Sequence, residues 1–344
     1  MRLEPVGFDL SSESVKFIEL LKKKEKIKIG RFAEVALPHG AISKGDIRDR
    51  EILKKSLGEI RTKYDLKHVA VSLPEEKSYL FNITIPYVEP GDLRNTIELQ
   101  LEEHIPIPPE QVQFDFEVIG YDGEQDALEI NIAVLPTTIV TDYLTLIEES
   151  GYSPVLFGTE AEAVARAIIR TGDSEAVMIV DFGHKRTGFS IVHHGRIVFN
   201  TTLDFGGADI TEAITKDFQI SYAEAEKLKI EKGIVQTDTA NDLFPIAFSS
   251  LAVLKDEVNK YYSYWNNRVE KESGKLEKIS RIYFSGGGSA LLGLGDFLTT
   301  YLEVPFQLAN PWVNVIDIAY DVPLIHQRDS LKYATAIGLA LTTL

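Results

Sequence analysis

The chain has 344 residues, 44% of them apolar, with 36 basic against 52 acidic side chains for a formal charge of −16, and no cysteine. At about 150 residues per domain, that length predicts roughly two domains, each able to bury its own core. The charge argues against nucleic acid and anionic lipid as main partners, because both need positive surface to displace counterions. The lack of cysteine excludes disulfides, thiolate zinc sites and thiol catalysis, and fits a reducing compartment.

In chain order, Val6–Glu19 (VGFDLSSESVKFIE) reads as an apolar strand carrying Asp9, a turn of small and hydroxyl residues, and a second strand. A third strand near Lys28–Leu37, a helix about Arg48–Tyr64 and a strand His68–Leu73 follow. The run Lys22, Lys23, Lys24, Lys26 and Lys28 lies between two strands and reads as a solvated hairpin turn rather than a membrane contact. From Tyr79 to Gly151 the texture changes to a compact α/β insertion. Strand Tyr79–Ile85 leads to a helix opened by Pro90 and Asp92, with Leu93, Ile97 and Leu101 on one face, and stopped by Pro106. Strands Gln113–Ile119 and Leu128–Val134 flank the turn Asp122–Gln125, and a helix runs from Pro136 to Glu149. Pro154–Arg170 return to the first domain.

Val177–Val192 (VMIVDFGHKRTGFSIV) then repeats the opening pattern around Asp181, 172 positions after Asp9 and half the chain length away. His193-His194-Gly195 reads as a β-turn, since adjacent strand residues point to opposite faces and cannot easily share an ion. The helix Leu251–Trp265 ends in Tyr261, Tyr262, Tyr264 and Trp265, aromatics at a spacing more typical of a core than of a partner surface. Arg281–Leu294 (RIYFSGGGSALLGL) runs an apolar strand into three glycines, a serine and a helix-like segment, and a final helix Leu331–Leu341 crosses back. No window reaches 18 apolar residues and the opening residues hold no basic-then-apolar leader, so the expectation is a cytoplasmic protein with no direct membrane insertion.

The repeated hairpins carry the chemistry. Small residues let backbone N–H groups converge on an anion, and the hydroxyls of Ser11, Ser12 and Thr187 add donors toward phosphate. A carboxylate beside phosphate needs a cation between them, a place that magnesium fills with its waters. Lys16 brings a point charge from the second strand. The three glycines allow close backbone approach to a flat ring or a phosphate, and a helix N-terminus after them favours negative charge. Two like-built halves, each offering one such turn to a shared cleft, predict a nucleotide clamp.

The order Asp9-Leu10-Ser11-Ser12 with Lys16, Asp181-Phe182-Gly183 with Thr187, Gly206-Gly207, and Ser285-Gly286-Gly287-Gly288 resembles the actin-like ATPase superfamily. Within it, LRNTIELQLEEHIPIPPEQVQFDFEVIG (93–120), TEAEAVARA (159–167), LDFGGADITEAI (203–214), SGGGSALLGLGDFLTTYLEVPFQLANPW (285–312) and YATAIGLAL (333–341) are similar to the PilM family of type IV pilus assembly proteins, over essentially the whole chain.

That resemblance implies an α/β, actin-like (ribonuclease H-like) two-domain fold with an extra FtsA/PilM-type subdomain. The first domain would take 1–78 with 152–174 and about 326–344, the insertion 79–151, and the second domain 175–325. It implies ATP and Mg2+ as ligands. Asp9 and Asp181 would hold the metal, Ser11, Ser12, Lys16, Gly183 and Thr187 the phosphates, and Gly286, Gly287, Gly288 and Ser289 the adenosine. Gly206 and Gly207 would lie near the ribose, Glu224 and Lys227 would flank the adenine, and Glu160 would orient an attacking water in what is at most a slow ATPase. The first loop reads Asp-Leu-Ser-Ser where the family usually has Asp-Ile-Gly-Ser, which puts a Cβ at Ser11 where glycine admits the β-phosphate and implies that Ser11→Gly tightens binding. At Gly158-Thr159-Glu160 this chain lacks the acidic residue that the family often has two positions before the glutamate.

The implied partner is the N-terminal cytoplasmic peptide of a PilN-like inner-membrane protein, held beside the insertion, with nucleotide state setting domain geometry. Self-association and the pilus motor ATPases are further partners that the resemblance allows, and the protein would sit at the inner membrane through a protein contact. Two other readings stay open: an FtsA-like filament-forming division protein, disfavoured by the ending at Ala340-Leu341-Thr342-Thr343-Leu344 with no amphipathic tail, and a sugar-kinase-like phosphotransferase, which lacks an evident acceptor base.

Overall fold

The computed structural model describes residues 5–23, 26–235, 243–271, 276–302, 304–316 and 322–344. Lys24 of the basic run lies outside them. The chain divides into two compact units, Met1–Ala163 with Arg196–Asn200 and Thr335–Leu344, and Val164–Gly195 with Thr201–Ala334.

The first unit is built on strands β1 (Val6–Leu10), β2 (Ser14–Lys23) and β3 (Lys26–Ala36), an antiparallel meander, followed by the two-residue pair β4 (Ile42–Ser43) and β5 (Asp46–Ile47). Helix α1 (Arg50–Tyr64) starts where the Asp49 carboxylate accepts from the Ile52 N–H and stops at Asp65, whose φ of 51° is left-handed. Strand β6 (His68–Leu73) then adds in parallel to β1. The Lys-rich ends of β2 and β3 pair across their ladder, Lys22 with Ile27 and Lys23 with Lys26.

Strands β7 (Tyr79–Pro86), β8 (Val112–Asp122) and β9 (Ala127–Pro136) form a separate sheet in the order β7-β9-β8, covered by helix α2 (Leu93–Gln100). Its alternating apolar positions give it a core of its own, in which Ile83, Ile85, Ile130 and Ile132 meet Leu93, Ile97 and Leu101. Helix α3 (Thr137–Glu149) does not join that core. Its apolar stripe of Ile139, Tyr143, Leu146 and Ile147 packs with Leu53, Leu57 and the β1 side of the first sheet, so the independently packed insertion ends at Pro136 rather than Gly151. Strand β10 (Ser153–Thr159) completes the first sheet, in the order β10-β6-β1-β2-β3, and leads into α4 (Glu160–Ile168).

The second sheet repeats that plan. Strands β11 (Val177–Phe182), β12 (Thr187–His193) and β13 (Arg196–Leu203) come first, then α5 (Gly207–Phe218), α6 (Tyr222–Lys232) and α7 (Phe244–Lys271). Strand β14 (Arg281–Ser285) pairs in parallel with β11, α8 (Leu294–Tyr301) follows, and β15 (Phe306–Leu308) closes the order β13-β12-β11-β14-β15. Each sheet is thus an antiparallel run of three strands followed by two parallel additions on the side of its first strand.

The β12–β13 hairpin turns at His194 and Gly195, with φ of 52° and 74°, the left-handed pair that matches strand twist. The two histidine rings are neighbours, their centroids 4.2 Å apart, so strand alternation does not separate them. Burial and the neighbouring His194 lower the pKa of His193. In α7, Trp265 is buried and donates from Nε1 to the Glu277 carbonyl, whereas Tyr264 is exposed.

The chain ends in α9 (Gln327–Ser330) and α10 (Ala334–Leu341). Helix α10 is held in the first unit by close backbone approach. A Cβ on Gly7 would overlap the Ala336 carbonyl, and one on Gly338 would overlap the Ala163 carbonyl.

Candidate functional site

The two hairpins close in the same way. Ser11 N donates to the Ser14 carbonyl at 3.1 Å and Gly183 N to the Arg186 carbonyl at 3.0 Å, leaving two-residue loops, Ser12-Glu13 and His184-Lys185. Asp9 and Asp181 are each the next-to-last residue of the strand entering the turn.

In the first unit Asp9 is buried and faces Lys16 across the ladder, with Lys16 Nζ 3.6 Å from Asp9 Oδ2. Asp9 Oδ1 accepts from the Ser72 hydroxyl at 3.4 Å, and that hydroxyl in turn accepts from Leu10 N at 3.1 Å. The Ser11 hydroxyl donates to the Ser14 carbonyl at 2.9 Å, so it serves the turn itself. Glu160 opens α4. The start of that helix is fixed by Glu75, a buried carboxylate whose Oε2 accepts from Ala161 N at 2.8 Å and whose Oε1 accepts from Asn200 Nδ2 at 2.5 Å.

In the second unit Asp181 stands opposite Gly188 on β12 and beside Ser285 on β14, at the carboxyl ends of two parallel strands. That edge is where ligands enter open α/β sheets. The glycine run lies directly against it. Gly286 has a φ of 82°, and a Cβ there would stand 2.5 Å from the Phe182 carbonyl and 2.8 Å from Asp181 Oδ1. A Cβ on Gly288 would stand 2.7 Å from the Phe182 ring, while Gly287 has ordinary clearance. Ser289 is buried and donates from its hydroxyl to the Ser285 carbonyl. The segment after the strand is a short 3-10 turn, Gly287–Ala290, and α8 begins only after Gly293, so a helix does not follow the glycines directly as expected.

Thr187 is fully buried, and its hydroxyl donates to the Phe205 carbonyl at 2.8 Å, which ties β12 to the entry of α5. The N-terminus of α5 docks on the turn, with Gly207 N donating to the Gly183 carbonyl at 3.0 Å and Ala208 N to the His184 carbonyl at 2.7 Å. A Cβ on Gly206 would overlap the His184 carbonyl, so this approach requires glycine. His184, Lys185 and Arg186 give the second turn a basic character that the first lacks.

On α6, Glu224 closes a capping box with Ser221, at 2.9 Å to its N–H and 2.7 Å to its hydroxyl, and the exposed Lys227 pairs with Glu231 at 3.8 Å. The pair that turns inward is Glu226 and Lys229. Lys229 Nζ is buried, 2.8 Å from each of Glu226 Oε2, the Gly207 carbonyl and Thr211 Oγ1, and Thr211 also donates to Glu226. Burial pushes the Glu226 carboxyl up, but hydrogen bonds from Lys229 and Thr211 outweigh it and hold it below the usual carboxylate range. Glu75, Ser72, Glu226 and Lys229 were not among the residues singled out from the sequence. The only available signal was the i,i+3 spacing of Glu226 and Lys229, which Glu224 and Lys227 share.

Two sheets of one topology, each with a carboxylate at the mouth of a tight hairpin, define an actin-like ATPase fold. A family model described as type IV pilus assembly protein PilM matches residues 7–344, and the chain belongs to that family. A structure titled PilM-PilN type IV pilus biogenesis complex has 21% identity and a TM-score of 0.82, covering 100% of this chain and 99% of the other. MreB5 of Spiroplasma citri bound to ADP has 12% identity and a TM-score of 0.56, over 98% of this chain and 94% of the other. Both likenesses bear on fold. The cell division protein FtsA of Enterococcus hirae is 24% identical over 91% of this chain and 81% of its own length. Among the described residues, no helix is long and apolar enough to cross a membrane.

Proposed function

We propose that this chain is the nucleotide-binding component of a type IV pilus inner-membrane assembly platform, and that it docks the N-terminal cytoplasmic segment of a PilN-like membrane protein. The observation that carries the nucleotide half is the duplicated turn with its carboxylate. Among the described residues no three His, Asp or Glu side chains are grouped to hold a metal. The carboxylate at each turn suits magnesium held mainly through its waters and the phosphates, with Asp9 and Asp181 as the anchoring carboxylates. Bound there, the ion would neutralise phosphate charge.

Lys16 and the basic turn 183–186 would supply the remaining positive charge, with Ser11 and Ser12 at the first turn; Thr187, expected to offer its hydroxyl to phosphate, is buried and donates to the Phe205 carbonyl, so it would support the second turn from beneath. Gly286, Gly287, Gly288 and Ser289 give adenosine a flat backbone surface. Gly206 and Gly207 would lie on the ribose side, where Glu226 and Lys229 hold the start of α5, and Glu224 and Lys227 would flank the adenine. Glu160 is the residue to orient water in any slow hydrolysis, a reaction governed by positioning and charge. The partner half rests on family membership and on the separately packed segment 79–136, whose sheet ends in the edge strands β7 and β8, an edge being where an extended peptide can add.

The N-terminal peptide of the co-encoded membrane protein should bind in calorimetry with low-micromolar affinity, about −8 kcal/mol. A chain in which a short linker replaces residues 79–136 should lose that binding and keep ATP. A folded deletion variant that still captures the peptide would place docking elsewhere.

A further inference from the structure

At the carboxyl edge of the first sheet, β6 lies between β10 and β1 and runs parallel to both, so the groups that leave these three strands emerge side by side. Asp9 stands near the end of β1, Glu160 follows β10 directly, and Ser72 on β6 donates to Asp9 Oδ1. Just past β6, Glu75 opens a short 3-10 turn, Glu75–Lys77, and its carboxylate is buried. A buried carboxylate is costly unless its oxygens are paired. Here one oxygen takes the N–H of Ala161, 86 positions away, and the other takes the amide of Asn200, 125 positions away.

Helix α4 does not need that bond in order to start. Thr159 and Glu162 already cap it: Glu162 N donates to Thr159 Oγ1 at 3.3 Å, and the Thr159 hydroxyl donates to Glu162 Oε2 at 2.9 Å. Glu75 adds placement instead. It holds the amide next to Glu160 against the end of β6, and Asn200 in turn holds Glu75.

We propose that Glu75 is a positioning residue for ATP hydrolysis. It sets the first turn of α4, and so the backbone that carries Glu160, relative to the strand ends that carry Asp9 and Ser72. Asn200, on β13, keeps the Glu75 carboxylate in place. The inference rests on the reading of Glu160 as the residue that orients water, and deepens it. Displacing such a group costs rate more than affinity, because this chemistry is governed by positioning.

The test measures phosphate release from ATP with magnesium by the full chain, together with ATP affinity by calorimetry. The chains compared are the parent, Glu160→Gln, Glu75→Gln, Asn200→Asp and the double variant Glu75→Gln, Asn200→Asp. Glutamine at position 75 keeps an acceptor for Ala161 N but turns an NH2 toward the Asn200 amide, donor against donor. Asn200→Asp alone sets carboxylate against carboxylate. Together the two changes restore both hydrogen bonds, the second one reversed. Each single variant should lower kcat at least about tenfold with ATP affinity within about twofold of the parent, and the double variant should return to within about threefold of parental turnover. Parent-like turnover in folded Glu75→Gln, affinity and turnover lost together, or a double variant that melts like the parent but stays slow each overturns the proposal. If Glu75→Gln does not fold, Asn200→Ala decides, since it leaves the Ala161 bond: turnover at least about threefold below the parent supports the proposal, and parent-like turnover overturns it. A parent that hydrolyses no ATP, or a Glu160→Gln chain as fast as the parent, overturns the reading of Glu160 and the proposal with it. A slow Glu160→Gln chain beside a parent-like Glu75→Gln chain overturns the proposal alone.

Discussion

Lys229 is the side chain on which the surroundings of the second turn most depend. It is buried and joins Glu226, Thr211 and the Gly207 carbonyl at the start of α5, the helix that docks on residues 183 and 184. Lys229→Met keeps length but removes all three donations, so it should cost about 1–3 kcal/mol in urea unfolding. Glu226 adds a pH dependence. Its folded pKa lies below the ordinary value of 4.5, so its stabilisation is complete above that value and disappears as pH falls through the lower folded one. Glu226→Gln should therefore be less stable than the parent at pH 7, with the difference shrinking below about pH 4; a gap that stays constant with pH would show that the carboxylate charge contributes nothing.

Ser11 reverses an expectation. Its hydroxyl closes the first turn on the Ser14 carbonyl, so Ser11→Gly should weaken ATP binding by loosening that turn rather than tighten it by admitting phosphate. Calorimetry separates the two outcomes by sign. The repeated carboxylates, by contrast, were legible because each belongs to a contiguous strand-turn-strand pattern. Helix phase was not. Glu224–Lys227 and Glu226–Lys229 have the same spacing, and only the docking of α5 on the turn decides which pair faces inward.

At the scale of elements, α10 shows where local reading runs out. Its apolar run identifies a buried helix, but its position depends on close approaches to residues remote in sequence, Ala336 over Gly7 and Gly338 against Ala163. Gly338→Ala forces a backbone shift and should destabilise by about 1–3 kcal/mol or more, read as a fall in melting temperature of the first unit. Unchanged melting would mean that α10 slides freely. Glu75 was equally invisible, because its partners Ala161 and Asn200 come from separate elements. The helix of residues 137–149 was recognised as a helix but grouped with the insertion by sequence adjacency, whereas its stripe packs against Leu53 and Leu57. The short 3-10 turn after Gly286 was hidden because glycine and serine support several tight conformations equally well.

For the whole molecule, the duplication read from two short segments extends to complete sheets, each a three-strand meander with two parallel additions. The PilM family match along residues 7–344 fits that extent, since it needs both sheets together with the segment between their first hairpins. The central claim is that both carboxylates serve one ATP with magnesium. Titration calorimetry of ATP into the parent, Asp9→Ala and Asp181→Ala chains, each with magnesium and with EDTA, tests it most directly. The expected result is one site in the parent that depends on magnesium and is abolished or greatly weakened in each variant while both stay folded by circular dichroism. Parent-like affinity in either folded variant, or binding indifferent to magnesium, would contradict it.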